Sequence, residues 1–235
     1  MTHKTEQVSI PVSGQTYAGY LALPEHPGPR PGVVVIQEIF GVNSHIRSIA
    51  DRLAQAGYVA LAPDLFWRVR PGIELGYQAE DIAQGMAVRG QINNEDSLLD
   101  LKAAFGLLAA RPETKGKKLA VMGFCWGGTM AYLAACRLAP ACTVSYYGGG
   151  IVNLLGEADA IQGPILFHFG ELDKGIPIAA VDQIQTEMRK KKDATVFRYP
   201  GAEHGFHCDQ RASYHPASAA TAWQRTLDFF GKHLG

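Results

Sequence analysis

The sequence predicts an α/β protein: a mostly parallel central sheet flanked by helices, preceded by an antiparallel hairpin. Three observations carry this. From residue 33 onward, short apolar runs alternate with amphipathic stretches, the pattern of strands joined by crossover helices. Val33-Val34-Val35-Ile36 is apolar without interruption, as a strand buried on both faces must be. With 235 residues, 47% of them hydrophobic, the chain can build one sizeable core, and residues 1–235 read as a single domain.

Residues 6–10 and 16–23 alternate in polarity, and Ser13-Gly14 between them reads as a hairpin turn. Residues 24–31 form a Pro/Gly loop. The Val33–Ile36 strand follows, and Asn43 or Ser44 is placed to cap a helix running to about Gln55. Residues 57–61 predict the next strand. Residues 65–93 hold Pro71, Gly72, Gly76, Gly85 and Gly90 and read as a long irregular insertion able to cover a site. A helix begins at Asn94-Glu95-Asp96, carries Leu98, Leu101, Phe105 and Leu108 inward, and ends before Pro112. Residues 118–122 predict a strand, 129–138 a helix and 141–146 a strand. After a glycine loop come a strand over 164–170, a helix over 177–191, a strand over 194–199 and a helix over 215–234 with Trp223, Leu227 and Phe230 on one face.

Composition narrows the function. The formal net charge is zero and no basic stripe is present, which argues against a nucleic-acid partner. The run from Arg189 to Lys192 closes a helix, where cations suit the dipole. No apolar run reaches membrane-spanning length, and the first residues lack an apolar signal core, so a cytoplasmic location and no membrane partner are expected. Cys125, Cys136, Cys142 and Cys208 are too few for a disulfide scaffold, and no His/Cys/Asp cluster has metal-ligand spacing. Neither metal nor cofactor is expected. Cys136 and Cys142 sit in apolar surroundings, as packed thiols do.

Gly123-Phe124-Cys125-Trp126-Gly127-Gly128 runs from an apolar strand through a sharp turn into a helix rich in small residues. In α/β-hydrolases such a turn holds the nucleophile in a strained conformation at a helix N-terminus. The N–H of Trp126 is then a candidate oxyanion donor. Acid and histidine should follow in that chain order, each after a strand. Asp173, in Gly170-Glu171-Leu172-Asp173, and His204, in Gly201-Ala202-Glu203-His204-Gly205-Phe206, meet that requirement. His204 would serve the thiol as base and protonate the leaving group, with Asp173 fixing its tautomer. His168 lies inside a strand run and reads as a core histidine; His207 is a rival to His204. Glu38 follows the Val33–Ile36 strand, where hydrolases place the second oxyanion N–H, here that of Ile39. A carboxylate there would either hold the thiol proton or pair with a local cation such as Arg47.

With Gln37-Glu38-Ile39-Phe40-Gly41-Val42-Asn43 and Ala62-Pro63-Asp64-Leu65, these motifs make the whole chain resemble the dienelactone hydrolase (carboxymethylenebutenolidase) family. The resemblance implies a Cys125–His204–Asp173 triad, with Glu38 paired to the thiol at rest and taking its proton when substrate binds. It implies an oxyanion hole at Ile39 and Trp126, an acyl-thioester intermediate, and opening of a dienelactone to maleylacetate. The family's carboxylate-binding arginines are not matched: the position four residues after the histidine is Cys208. Arg89, Arg211 or Arg68 would have to substitute. Competing readings are a carboxylesterase or thioesterase acting on a neutral or bulkier acyl group, and a non-enzymatic thiol sensor or ligand-binding module. A monomer or weak oligomer is expected.

Overall fold

The computed structural model describes residues 3–26 and 28–235. In chain order its elements are β1 (His3–Val12), β2 (Gln15–Pro24), β3 (Gly32–Ile36), α1 (Ser44–Gln55), β4 (Val59–Pro63), α2 (Ala79–Arg89) and α3 (Asn94–Ala110). There follow β5 (Leu119–Phe124), α4 (Trp126–Arg137), β6 (Thr143–Tyr146), β7 (Ile165–Gly170), α5 (Ile178–Met188), β8 (Ala194–Tyr199) and α6 (Pro216–Leu234). The strands are ordered β1-β2-β4-β3-β5-β6-β7-β8. This is a mixed α/β, mostly parallel arrangement with an antiparallel β1-β2 hairpin. The described residues up to 121, with 234, and residues 122–233, with 235, cluster as two compact units.

In the first unit, β1 and β2 pair over their full length, from His3↔Pro24 to Val12↔Gln15. The hairpin is longer than polarity alternation predicts, because backbone pairing continues past the last apolar side chains. Ser13 and Gly14 turn it with φ of 47° and 77°, the two positive values that a two-residue hairpin loop matched to strand twist requires. β2 then runs antiparallel to β4, and β4 parallel to β3. Every residue of β3 and β4 is buried, as the uninterrupted apolar run of β3 predicts. Asn43 caps α1 by accepting from the Ile46 N–H, and Ile46, Ile49 and Leu53 are fully buried. Gly57, at φ +96°, belongs to the turn after α1, so β4 begins two residues later than expected.

The segment over 65–93 is not irregular throughout. It contains α2, whose first turn is closed by Asp81 Oδ2 accepting from the Gln78 N–H at 3.0 Å. Gly85 in mid-helix hides this element from a propensity reading, since glycine costs about 1 kcal/mol there. The structure supplies the reason for it. A Cβ at Gly85 would lie 2.4 Å from the Ile39 carbonyl oxygen, so only glycine lets α2 sit flat against the chain that leaves β3. Trp67 and Arg68, upstream of α2, donate to buried Asp100 of α3, Arg68 to both carboxylate oxygens and Trp67 Nε1–H at 2.8 Å, tying the segment to that helix.

In the second unit β6, β7 and β8 are parallel, in registers Thr143↔Ile165 and Ile165↔Ala194 onward. Residues 151–160, expected as a continuation of a glycine loop, form a 3-10 helical segment. Among the described residues no helix is long and apolar enough to cross a membrane.

Candidate active site

Cys125 sits between β5 and α4 with φ 55° and ψ −121°, a region that costs a non-glycine residue about 1–3 kcal/mol. The surrounding glycines make the conformation attainable. A Cβ on Gly123 would fall 2.0 Å from the Gly127 carbonyl oxygen, and one on Gly128 would fall 2.5 Å from that of Tyr146. The Cys125 N–H donates to Tyr146 O at 3.0 Å, and its own carbonyl receives the N–H groups of Gly128 and Thr129. Its backbone is therefore held on both sides while the side chain keeps partial exposure. Trp126 is the first residue of α4, so its N–H points off the end of the helix rather than into the helical ladder. The N-terminal end of a helix favours negative charge at that point.

Asp173 and His204 stand on turns after β7 and β8. Asp173 is 4% exposed, and its Oδ2 meets His204 Nδ1 at 2.6 Å. Its Oδ1 accepts from the N–H groups of Gly175 and Ile176 at 2.8 and 3.1 Å. Both carboxylate oxygens are thus used, which fixes the face presented to the imidazole. Burial opposes charge on His204, but the Cys125 sulfur, by charge and hydrogen bond, and the Asp173 carboxylate outweigh it. Together they push the ring up to about 10. An imidazolium so held is able to donate a proton to a leaving group.

Two contributors escaped the sequence reading. Tyr147, with φ 37°, stacks edge-on against His204 at 5.1 Å between ring centroids. Ser213 Oγ–H donates to the His204 carbonyl at 2.7 Å and ties down its loop. The Tyr146-Tyr147-Gly148 stretch at the end of an apolar strand is the one sequence signal for the first; nothing local marks the second.

The remaining candidates are placed as follows. Glu38 is fully buried in the chain leaving β3, where Tyr77 O–H donates to its Oε2 at 3.2 Å. Arg47, the alternative partner, is directed at Glu74 at 2.6 Å and at the Val42 carbonyl. Ile39 follows Glu38, its carbonyl against Gly85. Arg89 spans the turn from α2 to α3, donating to Ile92 O and Asn94 Oδ1, and Arg68 is committed to Asp100. Cys208 is fully buried. The Arg211 guanidinium lies across Gly205, where a Cβ would come within 2.5 Å of it. With Lys174, Ser213, Asp173 and His204 it lines a pocket of about 360 Å³. His168 is a core residue, bonded through Nδ1 to Tyr199 Oη at 2.7 Å and through Nε2 to Thr226 Oγ1 at 3.1 Å; burial pushes it down to about 3. His207 is buried among Phe124, Tyr146 and Trp223. Cys136 is a packed thiol that burial pushes up to about 11.

Residues 17–234 match the model of the dienelactone hydrolase family. A Synechocystis sp. protein provisionally assigned as a carboxymethylenebutenolidase is 42% identical over 240 residues, 98% of each chain. The crystal structure of a protein from Klebsiella pneumoniae, provisionally assigned as a dienelactone hydrolase, superposes with a TM-score of 0.87 at 32% identity, covering 99% of this chain and 100% of that one. A dienelactone hydrolase-like promiscuous phosphotriesterase from metagenomic libraries superposes at 0.86 with 28% identity, covering all of both chains.

Proposed function

Since the chain belongs to the dienelactone hydrolase family and is a hydrolase of the carboxymethylenebutenolidase type, we propose that it opens a small lactone through Cys125, His204 and Asp173. The strained Cys125 at the start of α4, within reach of a histidine whose far nitrogen is 2.6 Å from a buried carboxylate, is the observation that carries this reading. Glu38 takes the thiol proton when substrate arrives: the S–H bond breaks, an O–H bond forms and the electron pair stays on sulfur. The thiolate attacks the lactone carbonyl, and the N–H groups of Ile39 and Trp126 hold the oxyanion. Collapse opens the ring, His204 protonates the departing oxygen, and an acyl-thioester remains on Cys125. His204 then draws a proton from water, which attacks the thioester and frees the carboxylate, and the departing thiolate takes its proton back from Glu38. A dienelactone giving maleylacetate is the proposed substrate type.

Such a substrate carries its own carboxylate. Arg211, beside His204 and in the same pocket as Lys174, is the cation we assign to it in place of the residue that Cys208 supplants. A second reading, a carboxylesterase or thioesterase on neutral or bulkier acyl groups, is favoured by Leu172. It lines the same pocket and is 55% exposed. The test is turnover of a dienelactone beside a short neutral aryl ester, by wild type and Cys125→Ala. Lactone turnover lost in the variant supports the first reading; cleavage of the neutral ester alone supports the second. Undiminished activity of the variant overturns both.

A further inference from the structure

One peptide group at the end of β6 is fastened at both of its polar atoms. Its carbonyl, that of Tyr146, accepts from the Cys125 N–H at 3.0 Å, and its N–H, that of Tyr147, donates to the His168 carbonyl of β7 at 2.8 Å. The plane of that peptide is therefore fixed. The chain then takes φ 37° at Tyr147, a left-handed conformation that a residue of this bulk rarely adopts. Gly148 follows, where a Cβ would fall 2.9 Å from the Gly128 carbonyl carbon, so the turn has no room to relax toward α4. A turn held this tightly delivers its side chain to one place. The Tyr147 ring is fully buried. It meets the His204 imidazole at 5.1 Å between centroids with 61° between planes, and Phe206, two residues along the same loop, at 5.5 Å and 69°. Phe124, one residue before Cys125, lies 6.1 Å from it.

The contact matters because of how His204 is otherwise held. Its Nδ1 is bound to Asp173 Oδ2 at 2.6 Å, and one hydrogen bond fixes a point rather than a plane. An imidazole held there alone can swing about that bond and carry Nε2 away from the thiol and the substrate. We infer that Tyr147 is a positioning residue for His204: its ring, set at a steep angle against the imidazole, blocks that swing and keeps Nε2 aimed at the reacting atoms. This rests on the acid–base role proposed for His204. Edge-to-face packing is a preferred geometry of aromatic pairs, so the contact attracts as well as obstructs. Because the Tyr146 carbonyl and the Tyr147 N–H belong to one planar group, the backbone of the nucleophile and the plane of the imidazole are registered to each other through it. The inference also accounts for a bulky residue at a positive φ where glycine would fit the backbone without strain.

Tyr147→Phe keeps the ring, whereas Tyr147→Leu removes it and keeps an apolar side chain. In Tyr147→Leu, kcat on a neutral aryl ester should fall about tenfold, the upper end for loss of an aromatic pair, with KM within about twofold of wild type. Tyr147→Phe should stay within about twofold of wild type in both constants, the rescue that a role of the ring requires. In a His204→Gln background, Tyr147→Leu should change the residual turnover by less than about twofold, because the ring acts only through the imidazole. Melting curves check that each variant is folded. Should Tyr147→Leu not fold, Tyr147→Met, which refills the space with a flexible side chain, carries the same comparison. Wild-type kcat in the folded Tyr147→Leu, an equal loss in Tyr147→Phe, or the same loss with His204 already replaced would overturn the role of Tyr147 and leave that of His204 standing. Wild-type turnover in His204→Gln would overturn the two together.

Discussion

Replacing Asp173 with asparagine changes one atom's chemistry in a setting whose other contacts survive. In Asp173→Asn the amide oxygen can still accept from the Gly175 and Ile176 N–H groups, so the turn after β7 should keep its shape. What changes is the atom 2.6 Å from His204 Nδ1. A carboxylate oxygen accepts the Nδ1 proton; an amide nitrogen donates, forcing Nδ1 to be the acceptor. The imidazole proton then sits on Nε2, and a cationic ring loses its partner. A hydrogen bond with charged partners contributes about 1.5–3 kcal/mol, which is about 10- to 150-fold in rate. The wrong tautomer adds to this; in a serine-protease triad the same exchange lowers kcat about 10⁴-fold. A thiolate depends less on its base than an alkoxide does. We therefore expect kcat/KM of Asp173→Asn to fall about 10²- to 10³-fold on an aryl ester, with the thermal midpoint little changed. Stopped-flow assays across pH 6–9 with a melting curve decide it. Activity within threefold of wild type, in a folded variant, would refute the reasoning that places Asp173 behind His204.

The other expectations concern the turn, the proton and the pocket. Gly123→Ala drives a Cβ to 2.0 Å from a backbone oxygen. Overpacking of that severity should cost about 3 kcal/mol or more, lowering the melting midpoint by about 6–12 °C in a chain of this size. Because His204 is raised to about 10, its contribution to stability is complete below its unfolded value near 6.5 and is lost as pH climbs through 10. The midpoint of wild type should thus fall more steeply between pH 7 and 10 than that of His204→Gln, by calorimetry. Glu38→Gln should speed alkylation of the resting thiol, which iodoacetamide kinetics will read directly. Arg211→Ala should raise KM for a carboxylate-bearing lactone about tenfold or more while leaving KM for a neutral ester unchanged within twofold, as loss of one charge-assisted contact requires.

The strands and most helices were readable because each stems from local pattern. Val33–Ile36 could only be a doubly buried strand, and Asn43 or Ser44 marked the start of α1, of which Asn43 is the cap. The positions of Cys125, Asp173 and His204 at strand ends were readable for a related reason. Each follows an apolar strand, and chain order suggests which role each would take. The helix α2 was not readable, because the glycine that lowers its propensity is there for a contact with Ile39, which no window of sequence contains. Tyr77 and Ser213 were hidden in the same way: their partners, Glu38 and the His204 carbonyl, come from other segments. Arg89 and Arg68 looked available as charges but are spent on an inter-helix turn and on buried Asp100. Fold-level pattern shows which residues are chemically able; only the packed chain shows which are already occupied.

The most direct test of the central claim is to trap the intermediate. His204→Asn, which should acylate slowly and deacylate more slowly still, would be mixed with an aryl ester, quenched in acid and digested for mass spectrometry. The account predicts an acyl group on the peptide containing Cys125, labile to hydroxylamine and absent from a His204→Asn/Cys125→Ala protein. Acylation at another residue, or turnover by Cys125→Ala at the wild-type rate, would contradict it.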